Sequence, residues 1–375
     1  MAVWAESTTR RNGDKIKMNG KERYTKILRH EKPDRIGLYE HFWGDTQKTW
    51  VEQGHIREGE NLGDHFGFDL QESWGIDFTA DLDFKPVVVA EDENTITMLD
   101  GNGARLRRHK KHDATPEHVG FEVVDRDGWE KIKPLLTKID ERRIDFASYR
   151  IAKAAAEKAG RFFTLSLVNV FELMHPVCGH EHMLVGMALD PEWIADMVQT
   201  YSELIVRMQK TLFESEGYPD GIYYYEDMGF KDRPFMSYEM YRDLIQPGHK
   251  YTIDYAHSVG LPVTMHSCGF IEPLLPSMIE AGIDCLDVIE VKAGMDLVKL
   301  HKMYGDKIAF MGGIDVRALY SNDKAIIDAE LERKIPLVKQ GFNYVLHSDH
   351  SIPKTVDYET YQNFIKKGLE LGAYD

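Results

Sequence analysis

From Trp129 to the C-terminus the chain alternates short apolar runs with longer helical stretches, and this rhythm constrains the fold more than any other feature. Helices are expected over 144–159, 191–216, 238–245, 248–258 and 358–371. Strands are expected over 161–167, 221–225, 262–265, 283–289, 308–311 and 344–346. Two earlier runs, 35–40 and 75–78, read as further strands, which brings the count to about eight joined by helical crossovers. The strands are short and apolar throughout, as expected when both faces of a parallel sheet are covered. Polar residues gather just after the strands, where barrel enzymes carry their sites. A doubly wound sheet is the competing arrangement, but no G-x-G-x-x-G follows an early strand. The prediction is therefore an α/β chain folded as a (β/α)8 TIM barrel.

One interval breaks the rhythm. Between 86 and 125 the runs are short and β-branched, and Asp100-Gly101-Asn102-Gly103 between two of them is a strong hairpin turn signal. A small antiparallel β-hairpin insertion is expected there, within a single barrel domain spanning 1–375. Residues 1–19 are polar and read as an arm, with an oligomer contact, such as a homodimer, as one use for it.

The formal net charge of -16 argues against nucleic acid or an anionic membrane surface as partner. Basic runs are scarce, and the clearest, Arg105 to Lys111, has no interleaved aromatic residue for bases to stack on. No apolar run reaches the roughly 20 residues of a membrane span, and three cysteines are too few to staple the fold. A cytoplasmic protein is expected.

The chemistry is expected around Pro262-Val-Thr-Met-His-Ser-Cys-Gly269. In extended chain, residues two apart point to the same side, so His266 and Cys268 face one space, and Gly269 allows a sharp turn after them. An imidazole and a thiolate so placed are half of a tetrahedral zinc site. The other strand ends offer Glu40, His41, Asn169, Glu226, Asp227, Glu290, Asp315, His347, Asp349 and His350. From these, His350 or Asp349 is expected as the third metal ligand, and Glu226 as a fourth or a partner to the ligands. Each residue also has a plainer reading. A lone H-x-C is more often buried packing, and Glu226-Asp227 can simply bond helix N-termini. Cys285, at the start of a strand, reads as core, and Cys178 falls in a Pro-Val-Cys-Gly loop without assignment. Of Tyr223, Tyr224 and Tyr225, at least one should face the barrel interior.

Several stretches resemble the uroporphyrinogen decarboxylase superfamily. They are Lys32-Pro33-Asp34-Arg35-Ile36, His266-Ser267-Cys268-Gly269, the Glu-Pro-Leu-Leu-Pro run from Glu272, Ala281-Gly282-Ile283-Asp284, Gly294-Met295-Asp296, Tyr304-Gly305-Asp306, Gly312-Gly313-Ile314-Asp315 and Ser348-Asp349-His350-Ser351-Ile352-Pro353. They occur in the family order and cover nearly the whole chain. The resemblance implies a (β/α)8 barrel. True decarboxylases carry an Arg-Gln-Ala-Gly-Arg-Tyr loop after the first strand, whose arginines hold substrate carboxylates. Here that place reads Glu40-His41-Phe42-Trp43-Gly44-Asp45. The other branch holds corrinoid-dependent methyltransferases, which bind zinc through His-x-Cys and a later Cys. His266 and Cys268 match the first part, and His350 or Asp349 stands where the later Cys would be.

The resemblance thus implies a zinc-dependent methyltransferase working with a corrinoid protein and a small-molecule methyl donor or acceptor. In that reading His266, Cys268 and His350 hold the metal. Glu226 or Asp227 handles the proton or positions the substrate, and Phe42, Trp43 and Phe270 shape the face that meets the corrin. Two alternatives stand beside it. One is a porphyrinogen decarboxylase using Asp81, supported by His350. The other is a non-catalytic barrel that binds a tetrapyrrole or a corrinoid protein.

Overall fold

Eight parallel strands curl into one sheet, and the residues that start and stop each element are those the local physics requires. The computed structural model describes residues 18–111 and 116–375, so positions 1–17 of the polar arm lie outside the described residues. In chain order the strands are β1 (Gly37–Leu38), β2 (Leu70–Trp74), β3 (Val87–Glu91), β4 (Thr95–Leu99), β5 (Ala104–His109), β6 (Glu117–Phe121), β7 (Phe162–Val168), β8 (Gly221–Tyr225), β9 (Val263–His266), β10 (Cys285–Val288), β11 (Ala309–Gly312) and β12 (Tyr344–Leu346). The large sheet runs β1-β12-β11-β10-β9-β8-β7-β2, every pairing parallel. The chain is thus a (β/α)8 barrel, as its alternation predicts.

The seam between the first and last strands of that order is closed by Asp69 rather than by a full ladder. Its backbone N–H donates to Leu38 O at 2.9 Å, its carbonyl accepts from Phe162 N at 2.8 Å, and its carboxylate accepts from Leu38 N at 2.8 Å. The same carboxylate accepts from Arg23 Nη1 at 2.5 Å and Arg35 Nη1 at 2.8 Å. Arg23 and Asp69 each keep only 2% side-chain exposure. A buried ion pair needs such saturation, because desolvating two charges costs several kcal/mol per ion. The Lys32-Pro33-Asp34-Arg35-Ile36 stretch supplies two members, since Asp34 also accepts from Arg23 Nε at 2.6 Å.

Between barrel strands the helices obey ordinary capping rules. Asp190 accepts from Trp193 N at the head of the Pro191–Glu216 helix, with Pro191 in its first turn. Asp145 caps the Phe146–Ala159 helix, which ends where Gly160 turns left-handed at φ 66°. Side chains of β8 alternate as a barrel demands: Tyr224 faces outward, where its hydroxyl accepts from Gln209, while Tyr223 and Tyr225 point inward.

Three expectations are corrected. The second barrel strand is β2 at Leu70–Trp74, not 75–78, because the Leu62–Phe66 helix ends at Gly67 with φ 73° and the chain extends soon after. The inserted hairpin is a four-stranded antiparallel sheet, β3-β4-β5-β6, whose edge strand β3 is exposed along its whole length. The loop expected around Cys178 is a helix, Val170–Leu189, kinked at Gly179 (φ 74°, ψ 155°). Cys178 and Cys285 are fully buried.

Candidate active site

The carboxyl ends of β8 and β9 bring three metal-binding side chains together. His266 ends β9, Cys268 follows two residues later, and Asp227 follows β8. One ligand atom from each of these residues lies within 4.8 Å of the other two. His266 Nε2 is 3.2 Å from Cys268 Sγ and 3.5 Å from Asp227 Oδ1, and Asp227 also accepts from Cys268 N at 2.9 Å. Gly269, at φ 81°, packs against the backbone of Gly229 so closely that no Cβ fits, which locks the turn carrying Cys268.

The other nitrogen of His266 is already committed. Asp287, fully buried within β10, accepts from His266 Nδ1 at 2.6 Å and from Tyr223 Oη at 2.6 Å. With Nδ1 given to Asp287, Nε2 is the nitrogen that faces Cys268 and Asp227, the arrangement that orients a histidine toward a metal. Burial opposes charge on this ring, but Cys268 and Asp287 raise it well above its ordinary value, so a metal bound there would displace the Nε2 proton. Burial pushes the Cys268 thiol up to about 11, against the opposing pull of His266, so the metal-free thiol is protonated near neutrality. Nitrogen, sulfur and carboxylate oxygen form a donor set that suits zinc. The residues present fit such an ion.

A second polar group crosses the mouth. His41 Nδ1 lies 3.0 Å from His347 Nε2, and His41 Nε2 lies 2.9 Å from Glu72 Oε1. Glu72 also accepts from Tyr39 Oη at 2.7 Å and Tyr225 Oη at 3.0 Å. Burial alone would raise Glu72, but the adjacent His41 and these donors bring it below the usual carboxylate range. His347 is buried and held down to about 4, hence neutral. The Tyr225 ring sits 4.9 Å from the His266 ring and joins the two groups.

The predicted residues separate accordingly. Asp227 enters the cluster with His266 and Cys268. Glu226, its neighbour, points the other way, as adjacent residues of an extended chain must. It is buried and accepts from Phe171 N at 2.9 Å and Glu172 N at 2.7 Å, with His249 Nε2 at 2.5 Å. That makes it a strut under the Val170–Leu189 helix, where no substrate reaches it. Asp349 accepts from Val291 N and Val316 N, so its oxygens are spent on backbone, and burial raises it to about 6. His350 is on the rim, its ring 6.0 Å from that of Trp43, and is outside the three-ligand group. Asp81 belongs to the root of the small sheet, its N–H donating to Gly101 O at 2.9 Å and its Oδ1 accepting from Asp83 N at 2.9 Å. Phe42 is packed among Trp50, Phe66, Phe68 and Tyr361, whereas Trp43 is exposed. Asp287 and Glu72 were not anticipated.

A cleft of about 540 Å³ opens on Cys268 and is lined also by Phe230, Lys231, Glu290, Lys292 and Arg317. A cleft of similar size, about 560 Å³, lies at the opposite ends of the strands around Lys21, Asp220 and Asp284, away from these groups.

Fold and site together define a barrel protein with a cation-competent mouth at the carboxyl ends of its strands. The model of the uroporphyrinogen decarboxylase (URO-D) family matches residues 121–368, and the chain belongs to that family. A methylated-thiol–coenzyme M methyltransferase of Methanosarcina mazei is 24% identical over 156 residues, which are 42% of this chain and 40% of that protein. The chain thus spans less than half the length of this relative. A solved methyltransferase from Methanosarcina mazei superposes with a TM-score of 0.63 at 14% identity, covering 94% of this chain and 99% of the other, and shares the fold.

Proposed function

We propose that the protein is a zinc-dependent methyltransferase that moves a methyl group to or from a corrinoid protein, with a small-molecule methyl donor or acceptor as its other substrate. The metal's protein ligands in this reading are His266, Cys268 and Asp227. The observation that carries it is the convergence of these three donors, of which Cys268 lines an open cleft, with the far nitrogen of His266 held by Asp287. Similarity to the methylated-thiol–coenzyme M methyltransferase of Methanosarcina mazei supports the methyl-transfer part of this reading.

Zinc held there supplies Lewis acidity toward a thiol or a methyl-bearing heteroatom. The chain's own residues do the rest. Asp287 keeps the His266 Nδ1 proton in place, and Tyr223 holds Asp287. Asp227 fixes the Cys268 backbone. Glu72, His41 and Tyr225 hold a shared set of protons beside the His266 ring, within reach of a group that must lose or gain one. Exposed Trp43 and Phe230 at the rim offer aromatic surface to a flat macrocycle.

The test is metal content combined with turnover. Purified protein is expected to lose one equivalent of zinc on Cys268→Ala. Thiol-dependent loss of the methyl–cobalt absorbance of methylcobalamin should fall by at least ~100-fold in that variant. Unchanged zinc together with unchanged turnover would overturn the reading.

A further inference from the structure

A second set of metal-binding side chains lies outside the mouth, where the inserted sheet meets the barrel. His118 is on β6, and His175 and His180 are on the Val170–Leu189 helix. One ring nitrogen from each lies within 4.8 Å of the other two. The His175 and His180 rings are stacked with centroids 4.2 Å apart, and His118 is 5.5 Å from His175.

Residues five apart on a regular helix are turned about 140° from one another and do not share a face. The break at Gly179 removes that offset and brings His175 and His180 together. The same glycine admits Phe121 of β6, because a Cβ there would press into the Phe121 ring. The kink therefore makes the histidine pair and seats the strand that delivers the third imidazole.

His175 supplies an observation independent of the clustering. Its Nε2 lies 2.8 Å from Glu172 Oε1, while its Nδ1 is buried with no hydrogen-bond partner. A buried ring nitrogen without a partner is costly in a folded protein, whichever tautomer it carries. A histidine held by a carboxylate through one nitrogen and bare at the other is the arrangement found at metal sites. Burial lowers all three rings, helped at His118 and His180 by the neighbouring imidazoles and opposed at His175 by Asp227 and Glu226, which favours the neutral form that binds metal.

We propose that His118, His175 and His180 form a second metal site, taking a divalent transition metal of the zinc class and clamping the inserted sheet to the helix beside the barrel mouth. Three neutral imidazoles suit zinc, and equally its spectroscopic substitute cobalt(II). The helix so clamped is the one whose N-terminus Glu226 holds, next to Asp227 of the first site.

The experiment is a cobalt(II) titration of the metal-free full chain, followed by absorbance and by bound equivalents. Wild type is expected to take two equivalents, one giving a sulfur-to-cobalt charge-transfer band. Cys268→Ser should lose that band and keep one equivalent. His180→Gln and His118→Gln should keep the band and lose one equivalent. In Cys268→Ser, zinc should raise the melting temperature, and the added His180→Gln change should abolish that rise. A Cys268→Ser protein that binds no cobalt, or His180→Gln and His118→Gln proteins that bind as many equivalents as wild type, would overturn the second site. Absence of the sulfur band from wild type, with one equivalent still lost in His180→Gln, would overturn the proposed mouth site and leave the second intact.

Discussion

Replacing Asp287 with Asn tests the mouth most directly. The carboxylate has no solvent exposure and takes two bonds of 2.6 Å, one from Tyr223 and one from His266. Asn keeps the shape but removes the charge, turning two charge-assisted bonds into weaker neutral ones. Its amide also introduces donors. Oδ1 has no hydrogen-bond partner and lies 4.0 Å from His347 Nδ1, itself bonded to Ser348 O, so an amide nitrogen placed there finds no acceptor. Loss of a carboxylate behind a ligating histidine costs roughly 10–100-fold in metal affinity, equivalent to ~1.4–2.7 kcal/mol. Zinc competition against a chromogenic chelator measures it. Tyr223→Phe is the control: it removes one donor to Asp287 and leaves the charge, so its loss should stay under ~10-fold. If Asp287→Asn holds zinc within about threefold of wild type, the orientation argument for His266 is wrong.

Other outcomes follow from the same geometry. Asp69→Ala leaves Arg23 with Asp34 as its only carboxylate, removes the carboxylate partner of Arg35, and should cost ~3 kcal/mol in urea unfolding, whereas a surface-like loss below ~1 kcal/mol would contradict the closure by Asp69. Gly179→Ala forces a Cβ at φ 74° into the Phe121 ring and should destabilise by ~2 kcal/mol or more, read as a lower urea midpoint. His257 is raised above its ordinary 6.5 by its bond to Asp284, so folding gains from it fully below pH 6.5 and loses that gain as pH rises through the folded value. The pair is partly exposed, which limits the gain to a few tenths of a kcal/mol, about 0.5 at most. His257→Gln should therefore flatten the stability curve only slightly, and only across that interval.

The barrel was legible because its later strands are short apolar runs bounded by helix caps and turns, signals that survive any detail of packing. His266 and Cys268 were legible because their spacing alone puts them on one side. What the sequence hid was direction and partnership. Glu226 and Asp227 are neighbours of the same type, and nothing local says which of them enters the mouth. Asp287 sits inside an apolar strand, where a carboxylate interrupts the pattern instead of announcing a site. Leu70–Trp74 was passed over because Gln71, Glu72 and Ser73 do not read as a buried strand. Of the three only Glu72 turns toward His41 and Tyr225, while Gln71 bonds Ala152 O and Arg161. His118 and His175 are 57 positions apart, and only the seating of the inserted sheet makes them neighbours.

Asp69 gives the cylinder an uneven mechanical character. Seven of its eight junctions are ladders of parallel strands, and the eighth is largely a side chain pinned by two guanidinium groups. Thermal opening should therefore begin there, with the amide of Leu38 exchanging its hydrogen well before those of β9 and β10. The ring would unroll as a strip from its weakest hinge, while the strands that carry His266 and Asp287, on the far side of the cylinder, remain folded longest.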